Sequence, residues 1–120
     1  MFDHITIRVK SFKKAKPFYA ESLKPLGYKV LYESDGAIGL GDGKSPTVWI
    51  SEDEPVTEGV HVAFASPDRK TVDAFHAAAL KAGGRDNGKP GLRPDYSPNY
   101  YGAFAYDPDG NNIEAVCHKG

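Results

Sequence analysis

The sequence has a single cysteine, Cys117, and almost no net charge, with 15 basic residues, 16 acidic residues and a formal charge of -1. One cysteine can form neither an intrachain disulfide nor a zinc site built from several thiolates, which favours the reducing cytoplasm. Without an excess of basic residues there is no positive surface to bind a phosphate backbone, so nucleic acid is not an expected partner. We therefore expect a cytoplasmic protein whose partner is a small molecule.

The sequence also lacks long apolar runs. No segment approaches the roughly 20 apolar residues of a membrane span, and residues 1–10 have no apolar stretch typical of an export signal. Neither a membrane location nor export is predicted. The content of 40% hydrophobic and 26% charged residues is that of an ordinary globular protein. The length fits one domain over residues 1–120.

Changes in hydrophobic periodicity predict an α+β fold. The alternating residues 3–9 predict a strand, and apolar residues at three- and four-residue steps from Ser11 predict a helix that stops at Gly27. Pro17 is expected to delay the start of this helix or to bend it, since proline has no N–H. Three short strands are predicted next, over residues 28–33, 37–40 and 47–51.

The same order of elements begins again near residue 60. A predicted strand is followed by a helix with Ser66 as its N-cap and Pro67 at its first position, ending at Gly83. Residues 85–99 are rich in Gly, Pro, Asn and Asp and are predicted to be a loop of the kind that covers a binding site. The strand before this helix is predicted over residues 60–65. After the loop, strands are predicted over residues 100–106 and 112–117, joined by a turn at 107–110.

The second half repeats the first at an offset of 57 residues. The residues paired by this offset include His4 and His61, Phe18 and Phe75, and Gly27 and Gly84. Such a repeat predicts two modules, about residues 1–54 and 59–118, packed about a pseudo-twofold axis. Equivalent strand positions meet near such an axis, so we expect the two histidines to face each other.

Three strand residues are candidate metal ligands. Because side chains alternate along a strand, His4, His61 and Glu114 are each expected on a concave face. Two imidazoles and one carboxylate with open coordination positions suit Fe(II), Mn(II) or a catalytic Zn(II). Two alternatives stay open: each histidine is an ordinary hydrogen-bonded residue, and a buried Glu114 is neutralised by Arg8 without any metal.

Three segments resemble the vicinal oxygen chelate superfamily, which includes glyoxalase I, bleomycin-resistance proteins and extradiol dioxygenases. The segments are HITIRV at 4–9, GVHVA at 59–63 and DPDGNNIE at 107–114. The resemblance covers essentially the whole chain and implies two tandem βαβββ modules that form a curved mixed-sheet cup. It also implies a homodimer and a divalent metal ion (Fe, Mn, Zn or Ni) bound by His4, His61 and Glu114, with Glu114 in a catalytic role.

The activity that the resemblance implies is that of a metal-dependent lyase, isomerase or dioxygenase, whose substrate chelates the metal through two adjacent oxygens. Glyoxalase I has a fourth ligand, a carboxylate, in the strand where this chain has Trp49 or Ile50. This departure favours members with three ligands, or a metal-free ligand-binding protein of the bleomycin-resistance type. Whether the site lies in one chain or across a dimer stays open.

Several further residues are candidates for contact with the substrate. Arg8 falls where glyoxalase I enzymes place an arginine that contacts anionic glutathione, and the alternative is an ordinary surface charge. Trp49 is on the same predicted sheet. The candidates in or beside the predicted loop are Arg93, Tyr96, Tyr100 and Tyr101, and the alternative is a solvated loop with surface tyrosines. The residues predicted to lie outside the site are His76 and Cys117, as structural residues, and His118, as an exposed one.

Overall fold

A computed structural model describes all 120 residues and contains two copies of a β-α-β-β-β order, which confirms the α+β class and the duplicated modules. The first module consists of β1 (Ile5–Val9), α1 (Phe12–Leu23), a short 3₁₀ helix (Lys24–Leu26), β2 (Lys29–Ser34), β3 (Ala37–Gly41) and β4 (Val48–Glu52). The second consists of β5 (His61–Ala65), α2 (Arg69–Lys81), β6 (Arg85–Leu92), β7 (Tyr101–Tyr106) and β8 (Asn112–Cys117). Neither α-helix is long and apolar enough to cross a membrane.

Each module forms its own four-stranded mixed sheet. The strand orders are β1-β4-β3-β2 and β5-β8-β7-β6, with the first strand of each module parallel to the last and the other pairs antiparallel. Parallel neighbours need a long crossover connection, and each module's helix belongs to that connection. The two helices also pack against each other. One face of each sheet is therefore covered by helices, and the other face is left for a site.

The helices pack on the sheets through side chains spaced three and four residues apart. In α1 these are Ala15, Phe18, Tyr19 and Leu23, all fully buried. In β1 the alternate residues Ile7 and Val9 join the same apolar core, whereas Thr6 and Arg8 are exposed. Burying each large apolar side chain stabilises the fold by roughly 1.5–3 kcal/mol, so this periodicity fixes which face of each sheet carries polar residues.

Pro17 lies inside α1, which begins at Phe12 and is not delayed as predicted. A proline at this position removes the hydrogen bond that an N–H would donate to the carbonyl of Lys13. Lys13 is exposed and Pro17 lies on the outer side of the helix, so water can bond that carbonyl. The buried face of the helix is unaffected, which explains why the sequence tolerates the proline.

The start of α2 also differs from the prediction. Its N-cap is Asp68, whose carboxylate accepts a hydrogen bond from the Thr71 N–H at 2.7 Å, while the Ser66 hydroxyl donates to the Asp68 carbonyl at 2.8 Å. Hydrogen bonds from Thr71 lower the pKa of Asp68 from its usual value. Pro67 thus precedes the cap, and the Ser-Pro pair forms the turn into it.

The predicted loop over residues 85–99 is wrong for its first half, because residues Arg85–Leu92 form the edge strand β6. The pairing of β6 with β7 shifts in register around Gly88 and before Gly91. Bulges of this kind, and Pro90 without its N–H, are tolerated at a sheet edge. The irregular segment is therefore confined to residues 93–100.

A buried hydrogen-bond network joins the two modules. The Tyr19 hydroxyl in α1 donates to Asp107 Oδ2 at 2.5 Å, and Asp107 Oδ1 accepts the Asn111 N–H at 2.8 Å. The Asn111 side-chain amide donates in turn to Asp107 Oδ2 and to the carbonyl of Thr57, both at 3.1 Å. Asp107 and Asn111 belong to the turn between β7 and β8, so this motif fastens the second module and the linker to the first helix.

Candidate functional site

The face of the second sheet that points away from α2, which we call the second open face, carries Glu114. Along β8, Ile113, Ala115 and Cys117 pack in the core, so the intervening Glu114 points to the opposite face, as the alternation predicts. Its register neighbours are Ala63 in β5 and Phe104 in β7. Glu114 is 0% exposed, so its carboxyl group depends on protein partners or a bound ligand.

Two side chains bond the Glu114 carboxyl group. The Nε2 atom of His61 lies 2.7 Å from Glu114 Oε1, and the Tyr100 hydroxyl donates to Glu114 Oε2. No arginine or lysine forms a salt bridge with Glu114, and Arg8 instead donates to the carbonyl of Glu54 at 3.2 Å. The alternative in which Arg8 neutralises Glu114 is therefore wrong, and the partners are an imidazole and a phenol.

The Tyr100 ring packs between two other aromatic rings and beside a glycine. It packs edge-on against Tyr96 at 4.9 Å and against His118 at 5.3 Å between ring centroids. A Cβ atom at position 102 would lie 3.1 Å from the Tyr100 ring and 3.2 Å from Glu114 Oε2, so Gly102 makes room for their contact. Burial, then the bond to Glu114 and its charge, raise the pKa of Tyr100, so the phenol stays a hydrogen-bond donor to a higher pH than an ordinary tyrosine.

His61 is bonded on one side and open on the other. Its side chain is 53% exposed although Nε2 touches the buried carboxyl group. A cavity of about 510 Å³ lies beside it, between β1 and β5, with Thr6 and His61 in its wall and apolar side chains around them. A small ligand in this cavity would contact the imidazole.

His4 does not join this cluster within the chain, contrary to the prediction that it faces His61. It precedes β1, its side chain is 51% exposed, and its Nδ1 atom lies 2.6 Å from the carboxylate of Asp3. The physical reason is that β1 and β5 are not paired but belong to separate sheets. Nowhere in the chain do three or more His, Cys, Asp or Glu side chains come together as a metal site.

The donor set of one chain therefore fits a divalent metal ion in part. The imidazole of His61 and the carboxylate of Glu114 are ligands that Zn, Mn and Fe accept, and they already converge. A buried carboxyl group with no arginine or lysine beside it is also suited to hold a cation. A third protein donor has to come from outside this set.

The first sheet has an open face of its own, formed by the side chains that point away from α1, and it carries Arg8 and Trp49. Trp49 pairs with Thr6 in the register between β1 and β4, and Arg8 lies two residues beyond Thr6. A Cβ atom at Gly39 would come within 2.9 Å of the indole, and Tyr32 packs edge-on against it at 5.4 Å. Both predicted residues thus lie on a face free of helices.

The remaining candidates divide between the two sides of the second sheet. Arg93 lies over the ring of Phe104 at 5.4 Å, next to Glu114, and donates to the Lys89 carbonyl at 2.7 Å. Tyr96 is 64% exposed. Tyr101 does not suit the predicted substrate contact, because its hydroxyl donates to Asp73 in α2 at 2.7 Å, on the helix side.

The partnership of Tyr100 with Glu114 was not predicted, although Tyr100 was among the loop tyrosines. Alternation continued back by one residue from β7 puts Tyr100 on the face of Gly102 and Phe104, opposite to Tyr101 and Ala103, but it does not specify the bond to Glu114. Of the residues predicted to lie outside the site, His76 and Cys117 do so, whereas His118 is exposed as predicted but packs against the Tyr100 ring. His76 is buried and bonded to Asp86 at 2.9 Å, Cys117 is buried, and His118 is exposed.

Comparisons with known proteins place this geometry in context. A family model described as the Glyoxalase/Bleomycin resistance protein/Dioxygenase superfamily matches residues 1–115. The solved structure of a glyoxalase/bleomycin resistance protein from Albidiferax ferrireducens is 30% identical, with 99% of each chain covered and a TM-score of 0.85. None of the curated proteins compared by sequence matches the chain.

Two more distant structures show the same fold. One is a glyoxalase/bleomycin resistance protein/dioxygenase family enzyme from Burkholderia phytofirmans, 17% identical, with 98% of each chain covered and a TM-score of 0.74. The other is a lactoylglutathione lyase from Agrobacterium tumefaciens, 14% identical, with 98% of this chain and 92% of that chain covered and a TM-score of 0.68. At these identities the likeness concerns architecture alone.

Proposed function

The chain belongs to the glyoxalase, bleomycin resistance protein and dioxygenase superfamily, and from that premise we propose that it is a metal-dependent enzyme acting on a small molecule. The proposed reaction is that of a lyase, isomerase or dioxygenase on a substrate with two adjacent oxygens. The observation that carries this proposal is the fully buried Glu114 beside His61, on a face that the helices leave free. We place the protein in the cytoplasm.

In this proposal Glu114 and His61 hold the metal ion, and His4 of a second copy supplies the third donor. His4 is half exposed and precedes an edge strand, so a second chain in a homodimer can reach it. A divalent ion held by these residues would supply Lewis-acid chemistry to the two substrate oxygens. Glu114, as a carboxylate next to the reacting atoms, is also the candidate for moving a proton.

The other open-face residues would bind and orient the substrate. Arg8 and Arg93 have guanidinium N–H groups beyond those used in their backbone contacts, and such groups recognise carboxylates and phosphates. Trp49 and Tyr96 offer partly exposed aromatic surface, which suits apolar or planar parts of a ligand. We therefore expect an anionic substrate with an apolar portion.

The test is metal analysis of protein purified without chelator and without a nickel affinity tag. We expect near-stoichiometric divalent metal in the wild type and its loss in Glu114→Gln, because the amide is a much weaker ligand than the carboxylate. Glu58→Gln is the matched control, since Glu58 is exposed and should keep full metal content. A metal-free preparation that takes up none of Zn²⁺, Mn²⁺, Fe²⁺ or Ni²⁺ on titration would contradict the proposal.

A second candidate function is a metal-free ligand-binding protein of the bleomycin-resistance type. It is favoured by the contacts of Glu114, both of whose oxygens already have partners within the chain. Trp49 is the single tryptophan and lies on the open face of the first sheet, so its fluorescence reports on ligand binding. A binding protein of this kind would bind its ligand equally well with and without a chelator, whereas the proposed enzyme would lose affinity when the metal is removed.

A further inference from the structure

We propose that Tyr100 is a positioning residue that holds Glu114 in the one orientation in which its carboxylate and His61 can bind the same metal ion. This inference rests on the proposed function for the metal and on the observed contacts for the geometry. In this proposal Tyr100 contacts neither the substrate nor the metal.

Two hydrogen-bond partners restrict the rotation of the Glu114 carboxylate. Its two oxygens are taken by different partners: Oε1 faces His61 Nε2 at 2.7 Å, and Oε2 accepts the Tyr100 hydroxyl hydrogen bond. Tyr100 therefore fixes the rotation of the carboxylate about its last bond, and that rotation decides whether one of its oxygens faces His61. Without the phenol, the carboxylate has only the half-exposed imidazole to orient it.

Tyr100 is itself held in place by its neighbours. Its ring is set between Tyr96 and His118, and the missing side chain of Gly102 lets it approach Glu114. Its backbone carbonyl accepts the Arg93 N–H at 2.7 Å, which closes the segment of residues 93–100. A donor held this firmly by its surroundings can impose an orientation on a ligand side chain.

Removing the Tyr100 hydroxyl should weaken metal binding. Outer-shell hydrogen bonds to ligating side chains typically change metal affinity by about 10–100-fold. Tyr100→Phe keeps the ring and its two edge-on contacts but removes the hydroxyl, so we expect a folded protein whose affinity for Zn²⁺ falls by this factor. We also expect the visible absorption of the Co²⁺-loaded protein to change, because the carboxylate is no longer held in one orientation.

The matched control is Tyr101→Phe, the neighbouring residue with its hydroxyl on the opposite face. That variant also loses a hydrogen bond to a carboxylate, at Asp73, but it should keep the Zn²⁺ affinity and the Co²⁺ spectrum of the wild type. Thermal unfolding of both variants shows that each is folded when its metal affinity is measured. A loss of affinity in both variants would overturn the proposal, because it would reflect general destabilisation.

A metal-free readout separates this inference from the proposed function. The ring ¹⁵N signals of His61 in apo protein report its bond to Glu114, and we expect them to shift in Tyr100→Phe and to stay unchanged in Tyr101→Phe. Unchanged signals in Tyr100→Phe would refute the positioning role whether or not metal binds. Wild-type protein that takes up none of Zn²⁺, Mn²⁺, Fe²⁺ or Ni²⁺ would instead refute the proposed function, and equal metal affinity of the wild type and Tyr100→Phe would refute the inference alone.

Discussion

The buried hydroxyl of Tyr19 provides a direct test of how the two modules are joined. Tyr19→Phe removes this hydroxyl while keeping a ring that is 0% exposed and packs edge-on against Phe18 at 4.9 Å between centroids. The hydroxyl donates to Asp107 Oδ2 at 2.5 Å, and that oxygen keeps a second donor, the Asn111 amide at 3.1 Å. The substitution therefore weakens the network between the modules without leaving the carboxylate unbonded.

The expected loss of stability follows from the charge of the acceptor. Hydrogen bonds to charged groups contribute about 1.5–3 kcal/mol, and we expect a loss of about 2 kcal/mol because Asn111 still bonds Asp107. Unfolding entropies of about 2.1 cal/mol/K per residue convert this loss, for 120 residues, into a midpoint about 8 °C lower. Differential scanning calorimetry of the wild type and Tyr19→Phe measures this shift.

The pH dependence gives a second readout of the same contact. Burial, and then the charge and hydrogen bond of Asp107, raise the pKa of Tyr19 well above its usual value. A group with a raised pKa contributes stability that is complete below its unfolded pKa, near 10, and is lost as the pH rises further. The wild type should therefore lose stability above about pH 10 more steeply than Tyr19→Phe.

The control for both measurements is Tyr101→Phe, whose hydroxyl bonds an exposed carboxylate, that of Asp73. Because that bond is exposed to water, we expect its loss to change the free energy of unfolding by at most about 0.5 kcal/mol. Equal midpoints for Tyr19→Phe and the wild type would refute the reasoning, since the buried network would then not hold the modules together.

Three further predictions concern single positions. Gly39→Ala should shift the fluorescence of Trp49 and destabilise the protein by about 1–3 kcal/mol, because a Cβ atom there would lie 2.9 Å from the indole. Gly27→Ala should cost about 1–2 kcal/mol, since Gly27 has a φ of 90°, whereas Gly43→Ala, with open space around the added carbon, should leave the melting temperature nearly unchanged. Asp68→Asn should lose less stability than the wild type when the pH falls below about 4. The reason is that the pKa of Asp68 is lowered in the folded protein, so its ionised carboxylate stabilises the fold above that pH. Circular dichroism at a series of pH values measures the difference.

The repeated elements could be predicted because their signals are local. The alternation of residues 112–117 gives β8 with its observed bounds, and the three- and four-residue spacing gives both helices. In β6 the local signal fails, since Gly88, Pro90 and Gly91 are typical of loops. This segment is nevertheless a strand because it pairs with β7. Such pairing depends on the rest of the sheet and not on the composition of the segment itself.

The site could be predicted as far as strand alternation reaches. Alternation places Glu114 and His61 on one face, but it does not say what bonds a buried carboxyl group. Tyr100 does so from the segment before β7, a contact set by the close approach at Gly102. The position of His4 depends on how the two sheets are arranged, and no spacing within one strand contains that information.

The joining network described above draws its parts from different repeats. At the 57-residue offset Tyr19 corresponds to His76, whereas the turn that carries Asp107 and Asn111 precedes β8 and therefore corresponds to the turn before β4. An artificial gene carrying the second repeat twice would therefore supply the acceptor without the phenol. At this junction the second half cannot replace the first, because it has a histidine where the network needs the phenol of Tyr19.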